Sequence, residues 1–270
     1  MQLDDHRIAI RERGFLELLD LSLRVIRAHA APLTVALLVG IGPMVVLNAL
    51  LFPALDHDDE PGAYFGYGYG MLLMVLWQIP IATAPATLYL GQALFAERPD
   101  AKTIARNFFA SLPQLILYQV LLRGILVAMC VTWFVPFVLR PYLNEVILLE
   151  RNSLRTRRKD RLTTGRRASA LHGNLGGEFF NRAMGSAAFA LILTCSVWGS
   201  LWFLAGILFN EWSGEGVVFA VFYPAALWIV AAFFTVVRFL GYLDLRIRRE
   251  GWEVELLLRA EEARCTRPWT

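Results

Sequence analysis

The sequence predicts an all-α protein that crosses a membrane several times, and three observations carry that prediction. Hydrophobic residues make up 57% of the 270-residue chain and charged ones only 18%, with a mean hydropathy of +0.49, outside the usual range of a soluble domain. Apolar runs of about 20 residues, the length a helical crossing needs, recur along it. Basic residues crowd some of the intervening stretches and are absent from others. The expected fold is a single multi-pass membrane domain, residues 1–270, of six transmembrane helices forming three hairpins, each preceded by an amphipathic surface helix.

The N-terminus, MQLDDHRIAIRERGF, carries both charge signs and no early apolar core. A cleaved signal peptide is therefore not expected, and the first span acts as its own insertion signal. In GFLELLDLSLRVIRAH, residues Phe15, Leu18, Leu19, Val25 and Ile26 fall near one helical face while Glu17, Asp20, Arg24 and Arg27 face away. That pattern reads as a helix lying on the inner membrane surface. AKTIARNFFASL and GEFFNRAMG repeat it, with little letter identity.

Spans are expected at 32–52, 71–95, 183–209 and 217–240. The run from Pro113 to Leu149 is too long for one straight helix, so it is either one over-long crossing or a hairpin of 113–131 and 134–149. Short loops rich in Lys and Arg stay cytoplasmic, which decides the matter. Residues 1–30 hold five arginines, Glu97–Leu112 holds Arg98, Lys102 and Arg106, and the loop 151–182 holds nine basic residues. LDHDDEPGAYFGYGYG and NEWSGEG hold only acids. Both ends of the long run are thus inside, as a hairpin requires, with VTWFVP (131–136) as its external turn. Six crossings and two cytoplasmic termini follow, with a cytoplasmic tail at 241–270. The tail alternates apolar and charged residues from Leu243 to Leu256, as a hairpin turning at Gly251 would. Continuation of the last span argues instead for helix broken near Gly251.

Three stretches, GFLELLDLSLRVIRAHAAPL, RPYLNEVILLERNSL and GYLDLRIRREGWEVELLLRA, resemble a family of bacterial inner-membrane proteins related to the membrane domain attached to some glycerophosphodiester phosphodiesterases. The likeness lies in the amphipathic leading helix, the short fourth span ending in an acid, and the closing DLRxRxEG. It implies a bacterial inner-membrane location and a topology, not an activity. Six spans and their connections use up the 270 residues, so no catalytic barrel is expected.

No HExxH, GxSxG, Walker loop or GxGD pair occurs, and His6, His29, His57 and His172 are scattered, so no enzyme is expected. Cys130, Cys195 and Cys265 lack ligand spacing and read as inert thiols. The acidic loop Asp56–Glu60 reads as a solvated loop rather than a metal site; neither metal nor cofactor is expected. A net charge of +3 does not imply nucleic acid.

Two groups of residues remain as candidates. The basic loop holds Arg151, Arg155, Arg157, Arg158, Lys159, Arg161, Arg166 and Arg167, which enforce topology and attract anionic membrane lipids or a protein partner. Within the apolar runs, Gln119 and Arg123 lie one turn apart, as do Arg140 and Asn144, with Glu145 beside them. Glu145 is expected as a buried counter-charge for Arg123 or Arg140, and Glu150 as a boundary residue beside Arg151. The cluster is either paired within the bundle or forms a polar site for an anionic headgroup or solute. The leading function is accordingly a non-enzymatic membrane accessory or scaffold protein. The rival is a transporter or lipid-handling protein.

Overall fold

A computed structural model describes residues 14–52, 61–94, 99–129, 135–152, 163–173, 176–209, 212 and 218–250, and they are helical almost throughout. The elements are α1 (Phe15–Ala28), α2 (Ala30–Leu51), α3 (Pro61–Ala82), α4 (Ala84–Ala93) and α5 (Ala101–Leu115). α5 continues through a π-helical stretch (Ile116–Leu122) into α6 (Arg123–Ala128). Then come α7 (Val135–Leu139) and α8 (Leu143–Glu145), the latter extended by a π turn (Val146–Glu150). α9 (Thr164–His172), α10 (Gly176–Phe209), a π turn (Val218–Phe222) and α11 (Tyr223–Glu250) complete the order. Among the described residues, five helices are long and apolar enough to cross a membrane: Ala30–Leu51, Gly62–Ala93, Ala101–Ala128, Gly177–Phe209 and Val218–Arg248.

The element bounds differ from the expected ones for identifiable reasons. Residues 61–70, expected as external loop, are the first turns of α3. There Tyr67 is buried with Met71 and Leu227, and Gly70 leaves room for the Phe52 ring, 3.1 Å from where a Cβ would stand. Residues 101–112 and 177–185 are not separate surface helices but run directly into the following spans, because no cap or breaker separates them. Pro113 removes only one N–H. The expected span 134–149 is interrupted at Arg140–Tyr142. Pro136, expected in the turn, sits in the first turn of α7, where a proline is tolerated. α11 extends ten residues beyond Leu240, so the chain is helical to Glu250; residues 251–270 lie outside the described residues, as does the acidic loop Asp56–Glu60.

Packing is antiparallel between α2 and the α3–α4 pair. Leu33 lies with Leu18, Tyr89 and Leu90 at one end, and Phe52 lies against Tyr67 at the other. α11 runs alongside α3–α4: Trp228 joins Tyr67 and Val75, and Phe239 and Leu240 join Ala86 and Tyr89. The junction of α3 and α4 is where Pro80 and Pro85 remove two N–H groups. Beside it the Thr83 and Thr87 hydroxyls donate to Ile79 O (2.8 Å) and Thr83 O (3.2 Å), carbonyls that also accept the backbone N–H of the same two threonines. Gly40 of α2 lies against this bend so closely that a Cβ would stand 1.9 Å from Ala82 O.

Between α1 and α2 the chain turns at His29, whose Nδ1 lies 3.0 Å from the Tyr89 hydroxyl. On α1, Leu18, Leu19 and Ser22 are buried, while Glu17, Asp20, Arg24 and Arg27 are exposed. The α1 inner face meets Val236, Phe239 and Leu240 of α11. The end of the bundle that holds α1 therefore also holds the last turns of α4 and α11, and it is there that the buried charges gather.

Candidate functional site

Two cations and one carboxylate meet in the bundle interior. Arg123 is 6% exposed, and its Nη1 donates to Gln119 Oε1 one turn earlier (3.4 Å). Its Nη2 donates to Leu76 O at 3.0 Å. That carbonyl is the one whose helical donor Pro80 eliminates, because a helix bonds residue 80 N–H back to residue 76. A guanidinium thus repairs a proline defect on a neighbouring helix. Glu145 is 1% exposed and pairs with Arg238, whose Nη2 lies 3.0 Å from Oε1 and 3.1 Å from Oε2. The same Nη2 donates to Pro141 O at 3.2 Å, capping the break between α7 and α8. Arg123 lies within electrostatic reach of both Arg238 and Glu145.

Arg238 thus takes the place expected for Arg123 or Arg140. Arg140 is exposed and is not brought into the cluster, since the chain break turns it away from the core. Gln119, Arg123, Asn144 and Glu145 are buried. Asn144 is 1% exposed, and neither its Oδ1 nor its Nδ2 has a hydrogen-bond partner among the described residues. Arg238 is the lone charge in its apolar run, which is the signal that could have found it.

A second network closes over the first. Glu150, expected at an exposed boundary, has a side chain only 9% exposed. It pairs with Arg167 of α9, and it accepts from Tyr242 Oη (2.8 Å) and Asn152 Nδ2 (3.1 Å). Arg151 between them is left-handed, with φ 48°, and carries the chain out of the π turn. The Asn152 carbonyl then accepts from Gln114 Nε2 (2.6 Å) and Thr164 Oγ1 (2.9 Å). Of the basic loop, Arg151 and Arg166 are exposed and Arg167 turns inward. Arg155, Arg157, Arg158, Lys159 and Arg161 lie outside the described residues.

A third network joins α10 to α11. Arg182 donates to Tyr142 Oη (3.1 Å) and to Asp244 Oδ2 (3.4 Å), and Arg248 reaches Glu178 (2.7 Å) and Asp244 (3.3 Å). Tyr142 packs against His172 and Phe179. The His172 Nε2 accepts the Tyr142 N–H at 3.4 Å, and Nδ1 donates to Ala168 O at 2.7 Å, so the neutral Nδ1–H tautomer fits both. Burial pushes the imidazole below its ordinary pKa of 6.5, with the Arg140 charge acting the same way and the Ala168 bond opposing.

Beside the second network lies a cavity of about 190 Å³. Leu88, Leu148, Leu149, Phe239 and Leu243 form its apolar wall, and Gln92, Asn107, Arg151, Tyr242 and Arg246 its polar side. No cluster of histidine, cysteine and carboxylate groups able to hold a metal ion occurs among the described residues. Comparison with family models, curated proteins and solved structures finds no match for this chain, so the geometry alone carries the functional argument.

Two predictions follow from these contacts. Glu145→Leu leaves Arg238 buried without its counter-charge and is expected to cost about 3–5 kcal/mol of stability in detergent. Adding Arg238→Leu should recover part of that loss, and adding Arg140→Leu should not; thermal unfolding of the single and double variants checks this. His172 favours its neutral form when folded, so its contribution is complete above about pH 6.5 and falls as pH drops below that value. The unfolding temperature should therefore decline from pH 7.5 to pH 5, and the decline should be shallower in His172→Gln.

Proposed function

We propose that this chain is a non-enzymatic integral protein of the bacterial inner membrane, an accessory or scaffold protein whose basic cytoplasmic face receives a partner. One observation carries the proposal: Glu145, Glu150 and Asp244 are each neutralised by an arginine from a different helix. Charges used to join helices stiffen that face, and none of these three carboxylates is left poised for proton or cation traffic.

The proposed architecture is six crossings in three hairpins, with both termini cytoplasmic. Contacts at the charged end support it. Leu149 and Ile104 both pack against the cluster of Leu18, Tyr89 and Leu90, whereas α6 ends at Ala128, about 36 Å along its helix from Ile104 at 1.5 Å per residue. The chain between Ala128 and Leu149 therefore returns across the bundle, through α7 and α8. That return is short, about 24 Å for residues 135–150 at the helical rise, against a hydrocarbon core of about 30 Å. Its ion pairs with α9 and α11 hold it in place where lipid-facing length cannot.

A different observation favours the transporter or lipid-handling reading. Arg123 and Arg238 both lie near the Glu145 carboxylate, and among the described residues the adjoining Asn144 amide is unbonded. Native mass spectrometry of protein purified from its host membrane separates the two. A stoichiometric polypeptide retained by the Arg123→Leu variant is expected. A small anion or solute lost on Arg123→Leu, with no polypeptide present, overturns the scaffold reading. Reporter fusions after Glu60 and Ser213 should report outside, and fusions after Asp100, Lys159 and Thr270 inside. Opposite sides for Asp100 and Lys159 would leave five crossings.

A further inference from the structure

The cavity bounded by α4, α5, the 146–150 π turn and α11 has one polar and one apolar wall. Its polar side carries two guanidinium groups, Arg151 and Arg246, and no carboxylate among the described residues lines it. Asn107 lines it too and is 3% exposed. Gln92 uses its Oε1 to accept the Asp100 N–H (3.0 Å), leaving its amide N–H groups for another acceptor. Arg151 is exposed and meets no carboxylate among the described residues, while the acid next to it, Glu150, is already neutralised by Arg167. The opposite wall is apolar, and Leu94 carries it out to the surface, being 38% exposed.

We infer that this cavity seats the phosphate headgroup of an anionic phospholipid, with Arg151 and Arg246 facing the phosphate and the Asn107 amide bonding the ester or glycerol oxygens. Guanidinium groups suit phosphate because their forked donors match its oxygens, and basic pockets at the cytoplasmic ends of membrane helices recognise headgroups this way. A soluble phosphate uses only the polar side and gains nothing from Leu94, Leu149, Phe239 and Leu243. An amphiphile uses both, its chains leaving past Leu94 into the bilayer. At about 190 Å³ the cavity holds a headgroup and not the acyl chains, which is the division a lipid makes at the interface. Placement of this end in the cytoplasmic leaflet rests on the orientation proposed above; the binding itself does not, so the two fail separately.

The test is native mass spectrometry of the full chain released from bilayers of phosphatidylcholine with added phosphatidylglycerol. One tightly retained phosphatidylglycerol is expected. Arg151→Asn, which keeps a residue that tolerates the left-handed conformation, and Arg246→Gln should each lower retention roughly fivefold. Asn107→Leu should lower it without any change of charge. Arg27→Gln, an exposed arginine of α1 that does not line the cavity, is expected to leave retention unchanged. Thermal unfolding of each variant verifies that it is folded. Equal loss with Arg27→Gln would reduce the binding to general surface attraction and overturn the site. Displacement of the lipid by millimolar inorganic phosphate or glycerol 3-phosphate would reassign the cavity to a soluble anion. Equal retention of phosphatidylcholine would remove the anionic preference.

Discussion

The pair between Glu145 and Arg238 is the interaction on which the rest of the bundle depends. A carboxylate 1% exposed inside an apolar bundle is tolerable only beside a cation. Arg238 is that cation, and its Nη2 also donates to the Pro141 carbonyl freed where α7 gives way to α8. The short, broken segment 135–150 is thereby tied to α11. Once it is fixed, Tyr142 can reach Arg182 and His172, and Glu150 can reach Arg167 and Tyr242. Each outer network requires the inner one to set the depth of the segment.

Polar side chains in this interior serve irregular backbone as much as one another. Arg123 caps the carbonyl orphaned by Pro80, and Trp77 Nε1 donates to Val120 O in the π stretch at 3.1 Å. Trp198 does the same for Val218 O in another π turn (3.1 Å), and Gln114 and Thr164 cap Asn152 O. In lipid, an unmade backbone hydrogen bond costs several kcal/mol, so each departure from the α-helix needs a donor or acceptor brought from elsewhere. Helix 101–128 is therefore held to α3 through repaired defects on both partners. Gly124 permits the approach, since a Cβ there would stand 2.9 Å from the Trp77 indole nitrogen.

The apolar crossings were legible in the sequence because length and hydropathy are properties of a single run. Element ends were less so, because packing decides them. The Gly- and Tyr-rich stretch 61–70 has the composition of a loop, yet it is helical where Tyr67 finds Met71 and Leu227. The burial of Gln119, Arg123, Asn144 and Glu145 follows from their place in apolar runs, but partner choice does not. One hairpin read alone offers Arg123 or Arg140 to Glu145, and it cannot anticipate that a break at Arg140–Tyr142 turns Arg140 outward while α11 supplies Arg238. Glu150 and Arg167 have the same explanation: a residue at the end of a run reads as solvated until α9 folds back over it.

The choice of arginine over lysine, 24 against two, acquires a physical meaning at the buried positions. Arg123 bonds a side-chain amide and a backbone carbonyl, Arg238 a carboxylate and a carbonyl, and Arg182 a phenol and a carboxylate. Each guanidinium satisfies groups on two separate parts of the chain through a planar, weakly hydrated fork, which a compact and strongly hydrated ammonium does poorly. At Arg238 a single nitrogen, Nη2, serves both Glu145 and the Pro141 carbonyl, so the advantage over lysine there is the smaller desolvation cost of the guanidinium. The buried cations therefore act as cross-braces between irregular helices, and their positive charge is a consequence of that geometry as well as a means of orienting the chain in the membrane.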